Sequence, residues 1–184
     1  METFYDLIRR VVTDFGAVGL DYMFTGALAA SFYGVPRTTT DIDVVVEVSG
    51  KISRSKLVLV LKQAGLLVDE KKIDAALRSG YRIATFEDNK TPYSVDVIFS
   101  SGKLEKRAGN ILGLPTFYQT PEELILAKLR MIKATVPRER SLKDRDDVKA
   151  ILRFTRVDTK ALKKIARKNS TLSILEKIIA DTYT

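Results

Sequence analysis

The sequence predicts an α+β protein in which a small mixed β-sheet with flanking helices is followed by a C-terminal helical region. The strongest strand is residues 41–48, where branched apolar residues follow two aspartates. Two further apolar runs, 81–87 and 93–99, flank a turn-like segment at 88–92 and predict a hairpin. After Pro121 the apolar residues recur only at helical spacing, so the sheet is expected before this residue.

The other elements of the N-terminal part follow from local patterns. Residues 3–15 are predicted to be a helix because their apolar side chains recur every three or four positions. An alanine-rich helix from Gly26 to Tyr33 ends where Gly34 and Pro36 interrupt it. The remaining elements are a strand at 21–24, helices at 54–63 and 70–78, and a shorter strand near 111–118.

Four helices are predicted in the C-terminal region, at 121–134, 142–154, 159–168 and 171–182. Asp158 and Ser170 are the predicted N-caps of the last two, because their side chains accept hydrogen bonds from first-turn N–H groups. The composition changes near residues 119–121. We therefore expect one domain at 1–120 and a helical, basic region at 121–184.

The amino-acid composition excludes several kinds of chemistry. The chain has no cysteine and no histidine, which excludes disulfides, thiolate nucleophiles, histidine bases and the usual zinc sites. Any bound metal must have oxygen ligands, which favours Mg²⁺ or Mn²⁺. No apolar run is long enough to cross a membrane, and charged residues interrupt the N-terminal apolar positions. We therefore expect a soluble, cytoplasmic protein with no membrane partner.

Positive charge is concentrated in the C-terminal third. Residues 1–120 hold 15 basic and 14 acidic side chains, whereas residues 121–184 hold 16 and 9. Between Arg153 and Lys168 there are seven basic residues and one acidic residue. Such a segment indicates either a polyanionic partner such as nucleic acid, or simply a solvated helix face. The sequence leaves both interpretations open.

Three aspartates lie in predicted strands. Asp41 and Asp43 are two positions apart, so their side chains lie on the same face of one strand. Asp96 interrupts an otherwise apolar strand, where a carboxylate needs a partner. If the two strands are neighbours, the three acids meet. Such a cluster can hold two metal ions for phosphoryl transfer.

Each aspartate also has an ordinary structural interpretation. Asp41 fits a strand-start cap, Asp43 fits a salt-bridge partner, and Asp96 fits a satisfied core acid. Together with the glycine turn upstream, at Gly26, their combination favours a metal site. We therefore predict that Asp41, Asp43 and Asp96 are catalytic and bind two Mg²⁺ or Mn²⁺ ions.

The segment from Thr25 to Asp43 resembles the signature of the DNA polymerase β-like nucleotidyltransferase superfamily. That signature has a strand, a Gly-Gly or Gly-Ser pair opening a helix, a gap, and Asp-x-Asp on the next strand. Here Gly26 opens the helix, Asp41-Ile42-Asp43 follows, and Asp96 matches the later third acid. Ala27 departs from the pattern, since a serine hydroxyl at this position would contact the triphosphate. The resemblance implies the nucleotidyltransferase fold.

The Arg-Thr-Thr-x-Asp-x-Asp form looks most like minimal nucleotidyltransferases related to AbiEii-type toxins of type IV toxin–antitoxin systems. The resemblance implies a lysine on one C-terminal helix, matched by Lys128. It also implies a Lys-Asp-x-x-Asp pattern on the next helix, matched by Lys143, Asp144 and Asp147. A toxin role with an antitoxin partner follows from this resemblance alone.

Four residues are predicted to bind the nucleotide. Backbone N–H groups at Gly26 and Ala27 open a helix and can face phosphates. Arg37, just before the first aspartate, can neutralise triphosphate charge or brace the acids. Lys128 lies on the apolar stripe of its helix, where it either reaches the phosphates or forms a structural ion pair with Asp144 and Asp147. Lys143 is predicted to be a supporting residue together with these two aspartates.

Three functions remain open from the sequence. The first is a metal-dependent nucleotidyltransferase that moves a nucleoside monophosphate from a nucleoside triphosphate to a hydroxyl of RNA, such as tRNA, or of protein. The second is a catalytically silent nucleotide- or RNA-binding module of the same fold, which Ala27 favours slightly. The third is transfer to a small molecule such as an aminoglycoside, which the basic C-terminal region disfavours because it repels cations.

Overall fold

The computed structural model describes residues 2–35, 37–49, 51–80 and 82–183. They form two compact units. The first comprises Met1–Leu28 and Thr38–Gln119, and the second comprises Ala29–Arg37 and Thr120–Thr184. Residues 29–37 therefore group with the C-terminal helices, which nothing in the sequence indicates.

Helices and strands are interspersed up to Gln119, and every later element is helical. The helices are α1 (Phe4–Val18), α2 (Gly26–Phe32), α3 (Lys51–Gln63), α4 (Glu70–Arg78), α5 (Pro121–Ala134), α6 (Leu142–Phe154), α7 (Thr159–Lys168) and α8 (Leu172–Tyr183), with a 3₁₀ turn at Arg138–Ser141. The strands are β1 (Tyr22–Phe24), β2 (Asp41–Glu47), β3 (Ile83–Glu87), β4 (Ser94–Ser100), β5 (Lys106–Ile111) and β6 (Leu114–Gln119).

The first unit is built on a six-stranded sheet in the order β3-β4-β2-β1-β6-β5. The pairs β2–β4 and β1–β6 are parallel, whereas β1–β2, β3–β4 and β5–β6 are antiparallel. The predicted α+β class with a mixed sheet is therefore confirmed. Because β2 and β4 pair directly, the two strands that carry the aspartates are neighbours.

One face of the central strands is fully apolar and forms the core. Ile42, Val44, Val95 and Val97 are completely buried, as is Phe15 on α1. Helix α1 packs against α3 and β6, while α4 packs against β3. Each such apolar side chain stabilises the fold by about 1.5–3 kcal/mol on burial. The opposite face carries the aspartates at one end, while Val45 and Ile98 pack there in a smaller apolar cluster with Met23 and Leu104.

The hairpin of β5 and β6 corrects the strand expected near 111–118. Two strands are present, and the predicted strand ran across the turn between them. Leu112 and Gly113 form this turn with φ of 53° and 80°, the shape of a type I′ hairpin loop. Leucine at the first turn position is not the usual Asn or Asp signal, so the turn was missed. The charged and glycine-containing sequence of β5 also has low strand propensity.

The second unit is a cluster of α5–α8 around a core that includes Leu129, Val148, Ile151, Leu162 and Ile178. Asp158 caps α7 as predicted, accepting from two first-turn N–H groups at 3.0 Å. The cap predicted at Ser170 is wrong, because α8 begins at Leu172 and Thr171 precedes it. None of the described helices is both long and apolar enough to traverse a bilayer.

Candidate active site

Asp41 and Asp43 lie on β2 and share the face opposite to buried Ile42, Val44 and Val46. The strand alternates half-buried and buried positions from Asp41 to Val44, because successive side chains point to opposite faces. Strand β4 alternates in the same way, with Asp96 half-buried between Val95 and Val97. Each carboxylate therefore has partial access to solvent while its strand is anchored in the core.

The parallel register of β2 and β4 brings the three acids together. Asp43 is the direct partner of Asp96, and Asp41 is the partner of Ser94. One carboxylate oxygen from each of Asp41, Asp43 and Asp96 lies within 4.8 Å of the other two. We call these three residues the carboxylate triad.

Two threonine hydroxyls hold the outer members of the triad. Thr39 Oγ1 donates to Asp41 Oδ1 at 2.5 Å, and Thr85 Oγ1 donates to Asp96 Oδ1 at 2.6 Å. Thr85 lies directly opposite Asp96 in the antiparallel pair of β3 and β4. Sequence reasoning missed both threonines, since threonine is common in strands and loops. The register of the predicted hairpin could have indicated Thr85, because it places this residue opposite Asp96.

Gly26 is packed against the middle carboxylate. Its φ is +56°, and a Cβ added there would lie 2.0 Å from Asp43 Oδ2 and 2.7 Å from Asp43 Cγ. The backbone N–H of Thr25 donates to the carbonyl of Asp43 at 3.0 Å. Glycine is thus required because Asp43 occupies the space of a side chain. Ala27 follows it and is buried; the predicted nucleotide contacts of Gly26 and Ala27 stay predictions.

The chemistry of the triad fits a divalent cation. Three neighbouring carboxylates repel one another, and a cation between them removes that repulsion. All the donors are hard oxygen atoms, which suit Mg²⁺ or Mn²⁺ rather than softer metals. The hydroxyl bonds from Thr39 and Thr85 engage one oxygen of each outer carboxylate, so each carboxylate has a second oxygen for a metal.

The other predicted site residues lie in the second unit, where they form a compact ion-pair cluster. Lys128 Nζ is 3.0 Å from Asp144 Oδ1 and 2.6 Å from Asp147 Oδ2. Arg37 Nη1 also pairs with Asp147 Oδ2. Lys128 and Asp147 are only 6% and 3% exposed. The predicted ion pair between α5 and α6 is therefore present, with Arg37 as an additional member.

The charges of this cluster balance within the second unit. Arg37 and Lys128 supply two positive charges, and Asp144 and Asp147 supply two negative ones. Lys143 is exposed and forms no ion pair with any residue that the structure describes. Roles for these residues toward a nucleotide stay predictions, whereas the structural role of the buried pair is visible directly.

Several solved structures share this arrangement of strands and helices. The solution structure of the antibiotic-resistance factor ANT(2″)-Ia has a TM-score of 0.67 and 16% identity, covering 94% of this chain and 95% of that one. A crystal structure of ANT(2″)-Ia with adenylyl-2″-tobramycin gives 0.66 and 15%, covering 92% and 99%. An antigenic nucleotidyltransferase-like protein from Paracoccidioides brasiliensis gives 0.61 and 17%, covering 92% of each chain.

The fold is that of a nucleotidyltransferase. At these identities the likeness concerns the fold, and the fold expected from the resemblance of the segment from Thr25 to Asp43 is thereby confirmed. The sequence matches no protein-family model and no curated protein. The relation to AbiEii-type toxins therefore stays a prediction.

Proposed function

We propose that this protein is a metal-dependent nucleotidyltransferase that moves a nucleoside monophosphate from a nucleoside triphosphate to a hydroxyl acceptor. The observation that carries the proposal is the carboxylate triad, with three oxygen atoms within 4.8 Å on two neighbouring strands. A nucleotidyltransferase fold without catalysis has no need of three mutually repelling acids at one point. The triad therefore favours the enzyme over the silent binding module.

In this proposal Asp41, Asp43 and Asp96 hold two Mg²⁺ or Mn²⁺ ions. Bound ions supply charge neutralisation on the triphosphate and lower the pKa of the acceptor hydroxyl. The acceptor oxygen forms a bond to the α-phosphorus, the bond from that phosphorus to the β-phosphate oxygen breaks, and pyrophosphate leaves. The acceptor proton passes to solvent or to a carboxylate oxygen of Asp96.

Two of the proposed nucleotide-binding residues, Arg37 and Lys128, already form ion pairs within the protein. The charges of Arg37 and Lys128 are compensated by Asp147 and Asp144. Binding of phosphate by either cation thus requires it to exchange or share these partners. Gly26 and Ala27 keep their proposed role through backbone N–H groups, although Gly26 is also needed for the position of Asp43.

The proposed acceptor is RNA, such as tRNA, bound at the basic C-terminal helices. The cationic side chains on and just before α7 are solvent-exposed: Arg153, Arg156, Lys160, Lys164, Arg167 and Lys168. Such a surface attracts a polyanion through counterion release. A protein hydroxyl and a role as the toxin of a toxin–antitoxin pair belong to the same proposal. A second candidate acceptor, an amino sugar, is favoured only by the likeness to ANT(2″)-Ia.

The test is transfer of label from each of the four α-³²P nucleoside triphosphates. The native chain is incubated with Mg²⁺ or Mn²⁺ and with total RNA, a protein extract or tobramycin as acceptor. The Asp41→Asn, Asp43→Asn double variant removes two of the triad charges. Asp69→Asn is the matched control, because Asp69 caps α4 outside the triad and asparagine caps equally well.

Label in RNA or protein with the native chain and the control, but not the double variant, supports the proposal and identifies nucleotide and acceptor. Label in tobramycin alone transfers the assignment to the amino-sugar class. Metal-dependent nucleotide binding without transfer to any acceptor would establish the silent module. In that case Ala27→Ser tests whether the missing hydroxyl is the reason.

A further inference from the structure

Thr85 lies beside the triad but has no part in the predictions from sequence. It is the central residue of β3, which forms one edge of the sheet. Its side chain is exposed and lies on the same face as Asp96, its direct partner on β4. The hydroxyl donates to Asp96 Oδ1 at 2.6 Å. This short contact links the edge strand to the candidate metal site.

The geometry makes Thr85 suited to orienting a carboxylate. A β-branched side chain on a strand has few rotamers, so its hydroxyl is held in place. A charge-assisted hydrogen bond from a hydroxyl to a carboxylate is among the stronger kinds. The bond holds one carboxylate oxygen of Asp96 and so restricts rotation of the carboxylate. Because the two oxygens are joined rigidly, the position of the second oxygen is fixed as well.

We propose that Thr85 is a positioning residue, whose hydroxyl sets the orientation in which Asp96 joins Asp41 and Asp43 to bind a divalent cation. The inference rests on the proposed function, since it assigns a supporting role within the same site. Groups that orient metal ligands in this way typically change metal affinity or activity 10- to 100-fold when removed.

A purely structural role for Thr85 is disfavoured by its environment. The residue is exposed at the sheet edge, where water can replace its hydrogen bond. Valine has the same shape and an equal or better strand preference. Thr85→Val therefore removes the hydroxyl while leaving the packing and the strand unchanged.

The chain offers a matched control in a second threonine–aspartate pair. Thr91 Oγ1 donates to Asp88 Oδ2 at 2.6 Å, the same distance as in the Thr85 pair. Asp88 is not a member of the triad and pairs with Arg10. Thr91→Val thus removes the same kind of bond from an aspartate that has no proposed role in metal binding.

The experiment measures Mn²⁺ affinity of the full chain by calorimetry or electron paramagnetic resonance, with thermal denaturation of the metal-free protein alongside. Thr85→Val is expected to raise the Mn²⁺ dissociation constant about tenfold or more, with the Tm close to that of the native chain. Thr85→Ser, which keeps a hydroxyl, is expected to restore most of the affinity. Thr91→Val is expected to lower the Tm and leave Mn²⁺ affinity unchanged.

Native-like Mn²⁺ affinity in Thr85→Val would overturn the positioning role and leave the proposed function standing. Equal loss of affinity in Thr91→Val would overturn it too, because the effect would then be a general one on stability. If the native chain itself binds no Mn²⁺, the proposed metal-dependent function is refuted, and the role of Thr85 is refuted with it. Once an acceptor that is labelled by the native chain is known, Thr85→Val is expected to lower kcat, while the KM for the nucleotide changes little.

Discussion

The Gly26→Ala substitution places a methyl group where the Asp43 carboxylate now lies. The added Cβ would be 2.0 Å from Asp43 Oδ2, 2.7 Å from Cγ and 3.0 Å from Cβ. Atoms cannot approach this closely, so the side chain of Asp43 must rotate away. Because the carboxylate is the flexible end of its side chain, we expect the damage to fall on the triad more than on the fold.

The backbone cost of the substitution can be separated from the clash. A residue other than glycine in the left-handed region costs about 1–2 kcal/mol. For a chain of this size that lowers the Tm by about 2–8 °C. Gly19→Ala is the control, because Gly19 has φ of +64° and an added Cβ meets no atom within 4 Å. It carries the backbone cost without the clash.

The assay combines thermal denaturation with Mn²⁺ titration of both variants. We expect comparable losses of stability, but a loss of Mn²⁺ affinity of at least about tenfold only in Gly26→Ala, because a ligand is misplaced. If Gly26→Ala binds Mn²⁺ as tightly as Gly19→Ala, Asp43 either does not need its present position or is not a ligand. Equal affinity in the two variants would therefore refute the proposal that Gly26 is needed to place Asp43 for metal binding.

Two further predictions concern charged pairs away from the triad. Lys128→Met removes one of the two cations that pair with buried Asp147. Because Arg37 remains, we expect a loss of about 1–3 kcal/mol in the free energy of unfolding, measured by denaturant titration. Exposed Lys168→Met is the control, and a loss as small as in that variant would contradict the structural role. Burial alone raises the pKa of Asp88, but hydrogen bonds and charge from Arg10, with the neighbouring threonine, outweigh it and hold the pKa below 3.8. This carboxylate therefore stabilises the fold above pH 3.8, and the contribution is lost as the pH falls through the lower folded value. In Asp88→Asn, the Tm is expected to fall less steeply between about pH 5 and pH 2 than in the native chain, and an unchanged slope would show that the pair does not act in this way.

The sequence was sufficient to predict the strands of the triad but not their surroundings. Alternation along Asp41-Ile42-Asp43 indicates a shared face, and an acid within an apolar strand singles out Asp96. Their meeting depends on the order of the strands in the sheet, which local patterns do not determine. Thr85 depends in addition on the register of a hairpin, and its residue type carries no signal of its own.

Gly26 shows a different limit of sequence reasoning. A glycine at the start of a helix predicts a close approach of the backbone to a phosphate. The structure shows a close approach to a side chain of the protein itself. Both require the absence of a Cβ, so the residue type alone cannot distinguish them. Similarly, the ion pairs of Lys128 follow from helix spacing, whereas the participation of Arg37 is a matter of tertiary structure.

The grouping of residues 29–37 with the C-terminal helices limits how the gene can be divided. In the second unit, Thr155 Oγ1 donates to the carbonyl of Tyr33, and the ring of Phe154 lies against Gly34. A fragment that ends at residue 119 would retain residues 29–37 but lose these partners. We therefore expect that residues 1–119 do not form an independent domain that could be truncated or moved into another protein without disturbing residues 29–37. A change at Phe154 or Thr155 would have to remain compatible with a segment encoded more than a hundred codons upstream.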